Sequence, residues 1–202
     1  MSDLDLYKTL DKPSEVTLFK EKGSKFFGYV FPVSSEDEVK EIIAQIKKEH
    51  HSARHWCYAW KIGVETVRFR VNDDGEPSNS AGQPIYGQIL SFDVTNVLVV
   101  VVRYFGGVKL GVGGLIRAYK TSAQLSLENS SIVEKTIEEK LKLVFAYQFM
   151  NNVMRVIKQK RILIDSQNLT SNCEIIIAVK KSEFEAVKKH FEKLHFLTLK
   201  NV

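Results

Sequence analysis

Apolar positions along the chain keep two rhythms, a period of two and a period near three and a half, and the changes between them mark out its elements. EVTLFK and, after Lys22-Gly23, SKFFGYVFPV read as strands. Ser35 stands three residues before Glu38, the capping-box spacing, and Val39, Ile42, Ile43 and Ile46 recur at helical intervals. A helix is therefore predicted from there to about His51. HWCYAWKI alternates His55, Cys57 and Ala59 against Trp56, Tyr58 and Trp60, and with a turn around Gly63 and the segment TVRFRV it predicts a hairpin. After the polar loop NDDGEPSNSAGQP, Pro84 suits the first turn of a short helix, PIYGQILS. Val97 to Tyr104 is a continuous apolar run, the pattern of a central strand buried on both faces. Leu115, Tyr119, Ala123 and Leu127 then share one face of a helix predicted from Gly113 to about Asn129.

The last third has a smaller pattern. EEKLKLVFAYQF alternates as a strand, NNVMRVIKQK reads as a short helix begun by Asn151 or Asn152, and ILID and CEIIIAVK read as strands. Ser182 and Glu185 form a second capping box, opening the helix SEFEAVKKHFEKLH, and FLTLKNV closes as a strand. The order βαββαβ is that of the ferredoxin-like split unit. The fold class expected is α+β in two domains, residues 1–135 and 136–202, with no repeat or Pro-rich linker between them.

Composition narrows the function. With 44% hydrophobic residues among 202, the chain can bury a core. The apolar run Val97–Val102 is far short of the roughly 20 residues that span a bilayer, so no membrane partner is expected. The N-terminus, MSDLDLYKTLDKPSEV, is acidic and lacks the pattern of a secretory signal, which predicts a cytoplasmic protein. Two cysteines, Cys57 and Cys173, lie far apart outside any CxxC spacing, so neither a disulfide framework nor a structural zinc is expected. No metal or cofactor is assigned. Residues 1–135 carry 17 basic and 17 acidic side chains and residues 136–202 carry 12 and 7, so the whole formal charge of +5 lies in the last third. Such an excess favours an anionic partner such as RNA.

The strongest chemical signal is VLVVVVRYFGGVKLGVGGLIRAY, which joins the central strand to a helix through Gly106, Gly107, Gly111, Gly113 and Gly114. A strand that ends in a glycine-rich turn and re-enters a helix aims backbone N–H groups into a concavity and so attracts anions. Arg103, Lys109 and Arg117 would add phosphate contacts, and Tyr104 or Phe105 would stack on a base if exposed. An equally weighted reading gives the glycines to turning and close packing and leaves the basic residues solvated. Two nucleotide motifs fail. Walker A needs Gly-Lys where Gly111-Val112 or Val112-Gly113 stands, and GxGxxG meets Ile116 at its last position.

The acidic loop is the second concentration of polar groups. As an EF-hand it would need ligands at Arg70 and Ala81, which cannot serve. Asp73, Asp74 and Glu76 offer carboxylates for a metal or a proton, and Ser78 and Ser80 offer hydroxyls; the favoured reading is a turn whose side chains bond their own backbone. His51 and His55 have HxxxH spacing, but Ser52 stands where a zinc protease has its glutamate. His55 and Cys57 are neighbours on one strand face, where a buried cysteine is ordinarily inert. No catalytic residue is assigned.

ARHWCYAWKIG, DDGEPSNSAGQPI and VVVVRYFGGVKLGVGGLIRAY, in that order, resemble the YigZ/IMPACT family, specifically its bacterial two-domain branch. The resemblance implies a front domain with the fold of a small-subunit ribosomal protein and of the fourth domain of elongation factor G, and a back domain like that factor's fifth. Where the family's loop usually reads Gly-Thr, this chain has Asn79-Ser80 and keeps a hydroxyl. Eukaryotic relatives regulate translation during amino-acid starvation through a protein partner. The expected function is a non-catalytic nucleic-acid- or ribosome-binding protein linked to regulation of translation, with RNA or the ribosome as partner. The alternatives are an enzyme acting on a phosphorylated small molecule between the acidic and glycine-rich loops, and a protein–protein regulator.

Overall fold

A computed structural model describes residues 5–202, which divide into two compact units, residues 7–135 and residues 136–202 with Asp5 and Leu6. The first four residues, the start of the acidic segment read for localisation, lie outside the described residues. The first unit runs β1 (Leu6–Leu10), β2 (Thr17–Glu21), β3 (Ser24–Pro32), α1 (Glu36–Glu49), β4 (His55–Ile62), β5 (Arg68–Asn72), α2 (Gly82–Ser91), β6 (Val97–Tyr104), α3 (Gly111–Glu128) and β7 (Ile132–Thr136).

Its main sheet has the order β2-β3-β6-β4-β5, every pair antiparallel. β6 is the middle strand, and its alternate residues feed two different cores. Val97, Val99 and Val101 pack with α2 and α3 residues such as Ile85 and Leu115, while Leu98, Val100 and Val102 join Val39 and Ile46 of α1. Two covered faces account for a strand with no polar alternation. α1 starts where its spacing predicts, with the Ser35 hydroxyl accepting the Glu38 N–H at 3.3 Å. The Glu38 carboxylate reaches back to Ser34, accepting its N–H at 2.9 Å and its hydroxyl at 2.6 Å. β1 and β7 pair with each other in a separate two-stranded sheet that the hydrophobic pattern does not predict. Each has five residues of mixed polarity, too short for a period to register.

The second unit runs β8 (Glu138–Ala146), a 3₁₀ turn, α4 (Met150–Gln159), β9 (Leu163–Asn168), β10 (Asn172–Lys180), α5 (Lys181–Glu192) and β11 (Thr198–Asn201). Its sheet has the order β11-β8-β10-β9 and is antiparallel throughout. Alternate residues of β8 and β10, such as Leu141, Leu143, Ile175 and Ile177, pack against Val153 of α4 and Phe191 of α5. Two helix starts differ from expectation. α4 begins at Met150 with Phe149 as a cap that makes no side-chain bond, so Asn151 and Asn152 lie inside the first turn. α5 begins at Lys181, and Ser182 is helical instead of capping it. The Asp5 carboxylate takes over that role: Oδ1 accepts the Ser182 N–H at 3.1 Å and Oδ2 accepts its hydroxyl, while the Asp5 carbonyl accepts the Ile137 N–H at 2.6 Å. No helix among the described residues is long and apolar enough to cross a membrane.

α3 lies close on β3 at Gly28, where an added Cβ would fall 2.0 Å from Ser126 Oγ and 2.8 Å from Thr17 Oγ1. Those two hydroxyls are bonded to each other at 2.6 Å. Gly28→Ala is expected to destabilise by about 1–3 kcal/mol through overpacking. Adding Ser126→Gly should recover part of that loss in urea unfolding, since it removes the atom in the way.

Candidate functional site

The sheet's end nearest α3 carries one row of side chains. Phe26 of β3, Arg103 of β6 and His55 of β4 are register partners and so stand side by side on the face that α2 and α3 cover. Arg103 thus enters a core, with its side chain only 6% exposed. A buried charge needs a counter-charge, and Glu76 of the acidic loop supplies it: Arg103 Nη1 donates to Glu76 Oε1 at 2.7 Å, and the glutamate is 4% exposed. The Tyr119 hydroxyl, arriving from α3, donates to the same oxygen at 2.8 Å, and His55 Nε2 lies 3.9 Å from it. Arg103 Nη2 reaches the Ser24 hydroxyl at 3.4 Å, and its guanidinium lies over the rings of Phe26 and Phe105 at 5.6 and 5.7 Å.

Cys57 completes the cluster, its thiol 3.0 Å from the Asp73 carbonyl oxygen and 3.3 Å from the Tyr119 hydroxyl. Burial pushes the Cys57 thiol far up, and burial followed by the neighbouring Cys57 and Glu76 pushes the Tyr119 hydroxyl up. Both therefore stay protonated at neutral pH, Tyr119 as a donor and Cys57 as an unreactive thiol.

The acidic loop spends its carboxylates on itself. Asp73 Oδ1 accepts the N–H groups of Ala81 and Gly82 at 3.0 and 2.8 Å, and Oδ2 accepts that of Asn79 at 2.9 Å. Asp74 Oδ2 accepts the Trp56 N–H at 2.8 Å, and Oδ1 faces Lys47 at 3.4 Å. Ser80 is fully buried and donates to the Pro77 carbonyl at 2.6 Å, whereas Ser78 is exposed. Asn79 has φ of 60°, a left-handed conformation that asparagine tolerates better than most residues.

The glycines divide into two kinds. Gly106 is structural: a Cβ there would fall 1.8 Å from the Gly23 carbonyl carbon, and its N–H already donates to the Ser24 hydroxyl at 3.2 Å. Gly107 and Gly111 are exposed with φ of 88° and 70°, and Gly113 is exposed on α3 while Gly114 is half-buried. α3 begins at Gly111 after Leu110, with no side-chain cap and no acidic residue in its first turn. Its first N–H groups are therefore open to an anion.

The basic residues do not converge. Arg103 is inside, paired with Glu76. Lys109 borders a cavity of about 270 Å³ shared with Glu76, Arg103, Phe105 and Gly111, so the acidic and glycine-rich loops do meet. Arg117 borders a different cleft of about 210 Å³ with Lys22 and Gly114. Lys109 and Arg117 are exposed and form no ion pair among the described residues. Of the two aromatics, Phe105 is 46% exposed, while Tyr104 is half-buried on the α1 side. There the Tyr104 hydroxyl bonds His50 Nδ1 at 2.9 Å, and His50 Nε2 bonds the Tyr29 hydroxyl. Burial lowers the His50 pKa from its ordinary 6.5.

Pattern reading misses Ser24, Tyr119 and Cys57 as members of the polar cluster. Tyr119 falls on the apolar stripe of α3, and nothing about Ser24 in sequence connects it to Arg103. The signal that was present is Arg103 itself, a charge at the end of a strand read as buried on both faces.

Residues 22–127, just over half of the chain, match the family described as Impact N-terminal domain. The chain is 33% identical to the IMPACT family member YvyE of Bacillus subtilis, covering 95% of this chain and 88% of that protein. It is 30% identical to the IMPACT family member YigZ of Escherichia coli, covering 88% and 90%. A solved structure of a hypothetical protein aligns with a TM-score of 0.71 at 24% identity over 98% of both chains, a likeness of fold.

Glu76→Ala would leave Arg103 buried without its counter-charge and is expected to cost about 3–5 kcal/mol in urea unfolding. Tyr119→Phe removes one donor from a carboxylate that stays paired, and should cost about 1–2 kcal/mol. Since His50 has a lower pKa folded than unfolded, its contribution is fully present above about pH 6.5 and is lost as pH falls toward the folded value. Unfolding free energies measured from pH 8 to 5 should fall on the acid side, and His50→Gln, which cannot titrate, should flatten that fall.

Proposed function

Because the chain belongs to the IMPACT family, we propose that it is a non-catalytic protein that docks on structured RNA or the ribosome in the cytoplasm and takes part in regulating translation. The link to translation is what family membership suggests. The observation that carries RNA binding is the start of α3, an uncapped glycine-rich helix terminus with exposed Lys109 just before it and exposed Arg117 farther along the helix, at a separate cleft. Backbone N–H groups, the helix dipole and cations spaced before and along the same helix suit successive phosphates of a nucleic-acid backbone.

The proposal includes the division at residues 135 and 136 and both domain likenesses. The strand order β11-β8-β10-β9 supports the ferredoxin-like arrangement for the second unit. The likeness of the first unit to a ribosomal protein and to domain four of elongation factor G stays with the family resemblance. The enzyme reading is weaker, because Asp73, Asp74 and Glu76 hold the loop and the core instead of facing a substrate with free carboxylates.

Binding to a structured ribosomal RNA fragment is expected to weaken steeply with salt, and Lys109→Ala and Arg117→Ala should each lower the slope of log K against log salt by about one. Absence of RNA or ribosome association at low salt would overturn the reading. A nuclease-resistant protein partner in a pull-down would favour the protein–protein regulator instead.

A further inference from the structure

We propose that the cavity under the start of α3 receives the base of one unstacked nucleotide while that nucleotide's phosphate sits on the helix terminus. The inference rests on the RNA-binding reading and names the ligand chemistry of the same face.

The cavity, about 270 Å³, is walled by Phe105, Leu110, Val112 and Leu115, with Glu76 and Arg103 as its buried polar groups. Its volume is just below the range of drug-sized sites and suits a single planar fragment. A free inorganic anion would leave the apolar walls wet, and a purely apolar ligand would leave the helix terminus unused. A nucleotide answers both, because Gly111, the first residue of α3, is itself part of the cavity wall and Lys109 stands at the same wall.

Two further observations point to a base. Phe105 is 46% exposed although the Arg103 guanidinium lies over its ring, 5.7 Å from the centroid. An aromatic ring at the cavity wall, half open to water, is a platform on which a base can stack. The polar groups in the wall are also incompletely paired. Arg103 Nε–H is buried and meets no acceptor among the described residues, and the hydrogen bonds to the Glu76 carboxylate fall on Oε1, so Oε2 is left to accept from a ligand. A buried donor such as Arg103 Nε–H is ordinarily satisfied. A carboxylate oxygen accepts from the exocyclic amino group of cytosine, and uracil has none, so the site should prefer cytidine to uridine.

The test uses the full chain with Leu and Val methyl groups labelled for NMR, and four probes: oligocytidine, oligouridine, cytidine 5′-monophosphate and inorganic phosphate. Oligocytidine is expected to shift the Leu110, Val112 and Leu115 methyls and to bind more tightly than oligouridine. Phe105→Leu, a change at an exposed position, should weaken oligocytidine binding about tenfold with the salt slope unchanged, while Phe105→Tyr should bind like the parent. Thermal unfolding of both variants controls for folding. If oligocytidine binds with the expected salt slope but the methyls stay silent and Phe105→Leu binds normally, the base site is overturned and RNA binding stands. If RNA does not bind but the monophosphate shifts these methyls and Phe105→Leu abolishes the shift, the RNA reading falls and a free-nucleotide site stands. Inorganic phosphate producing the same methyl shifts as the monophosphate would reduce the site to an anion nest and overturn the proposal, and equal binding of oligocytidine and oligouridine would overturn the Glu76 contact.

Discussion

Arg103 cannot lie in the core alone, and the first unit is organised around that constraint. It occupies the last buried position of the central strand, where desolvating an unpaired guanidinium would cost several kcal/mol. Glu76 neutralises it, and in doing so draws the acidic loop over the end of the sheet. Tyr119 ties α3 to the same carboxylate, and Ser24 ties in the start of β3 and the backbone of Gly106. One ion pair thus joins a loop, a helix and two strands that are distant in sequence. A salt bridge of this kind adds little stability over a well-packed apolar substitute, so its importance here lies in fixing which segments meet.

The glycine-rich stretch is shaped by the same arrangement. Its first glycine must be bare because the β2–β3 turn passes directly against it, with no room for a Cβ. Beyond it, at Gly107, the chain is out of the core, and the remaining residues lead into a helix that no side chain caps. Packing requirements end within a few residues of where the uncapped helix terminus begins. The aromatic pair divides likewise: Tyr104 points to the α1 side and bonds His50, and Phe105 is turned to the rim of the cavity.

Long periodic elements were legible in the sequence, because burial on one or two faces imposes the period directly. The uninterrupted β6, the capped start of α1, the β4–β5 hairpin and the βαββαβ order all correspond to observed elements. β1 and β7 were not, since five residues of mixed polarity carry no period. The second capping box misleads for a tertiary reason: the Ser182 hydroxyl meets the carboxylate of Asp5, 177 positions away, and local spacing cannot anticipate it. At the candidate site the motif located the glycine-rich turn and the acidic loop, but not that Arg103 and Glu76 neutralise each other. Asp73 shows that the turn-forming reading of the loop describes its bonds, since both of its oxygens accept backbone N–H groups.

Asp5 also bears on what counts as a separable piece. The second unit is discontinuous in the chain, because Asp5 and Leu6 group with residues 136–202 while Tyr7 onward groups with the other unit. A fragment cut at the linear boundary would lack the carboxylate that holds the first turn of α5 and the carbonyl that receives Ile137. The polypeptide crosses between the units twice, so one backbone scission does not release either as a whole. A single-chain version of the C-terminal unit that kept these bonds would be a circular permutant, carrying the Asp5 segment on a new connection to the remainder.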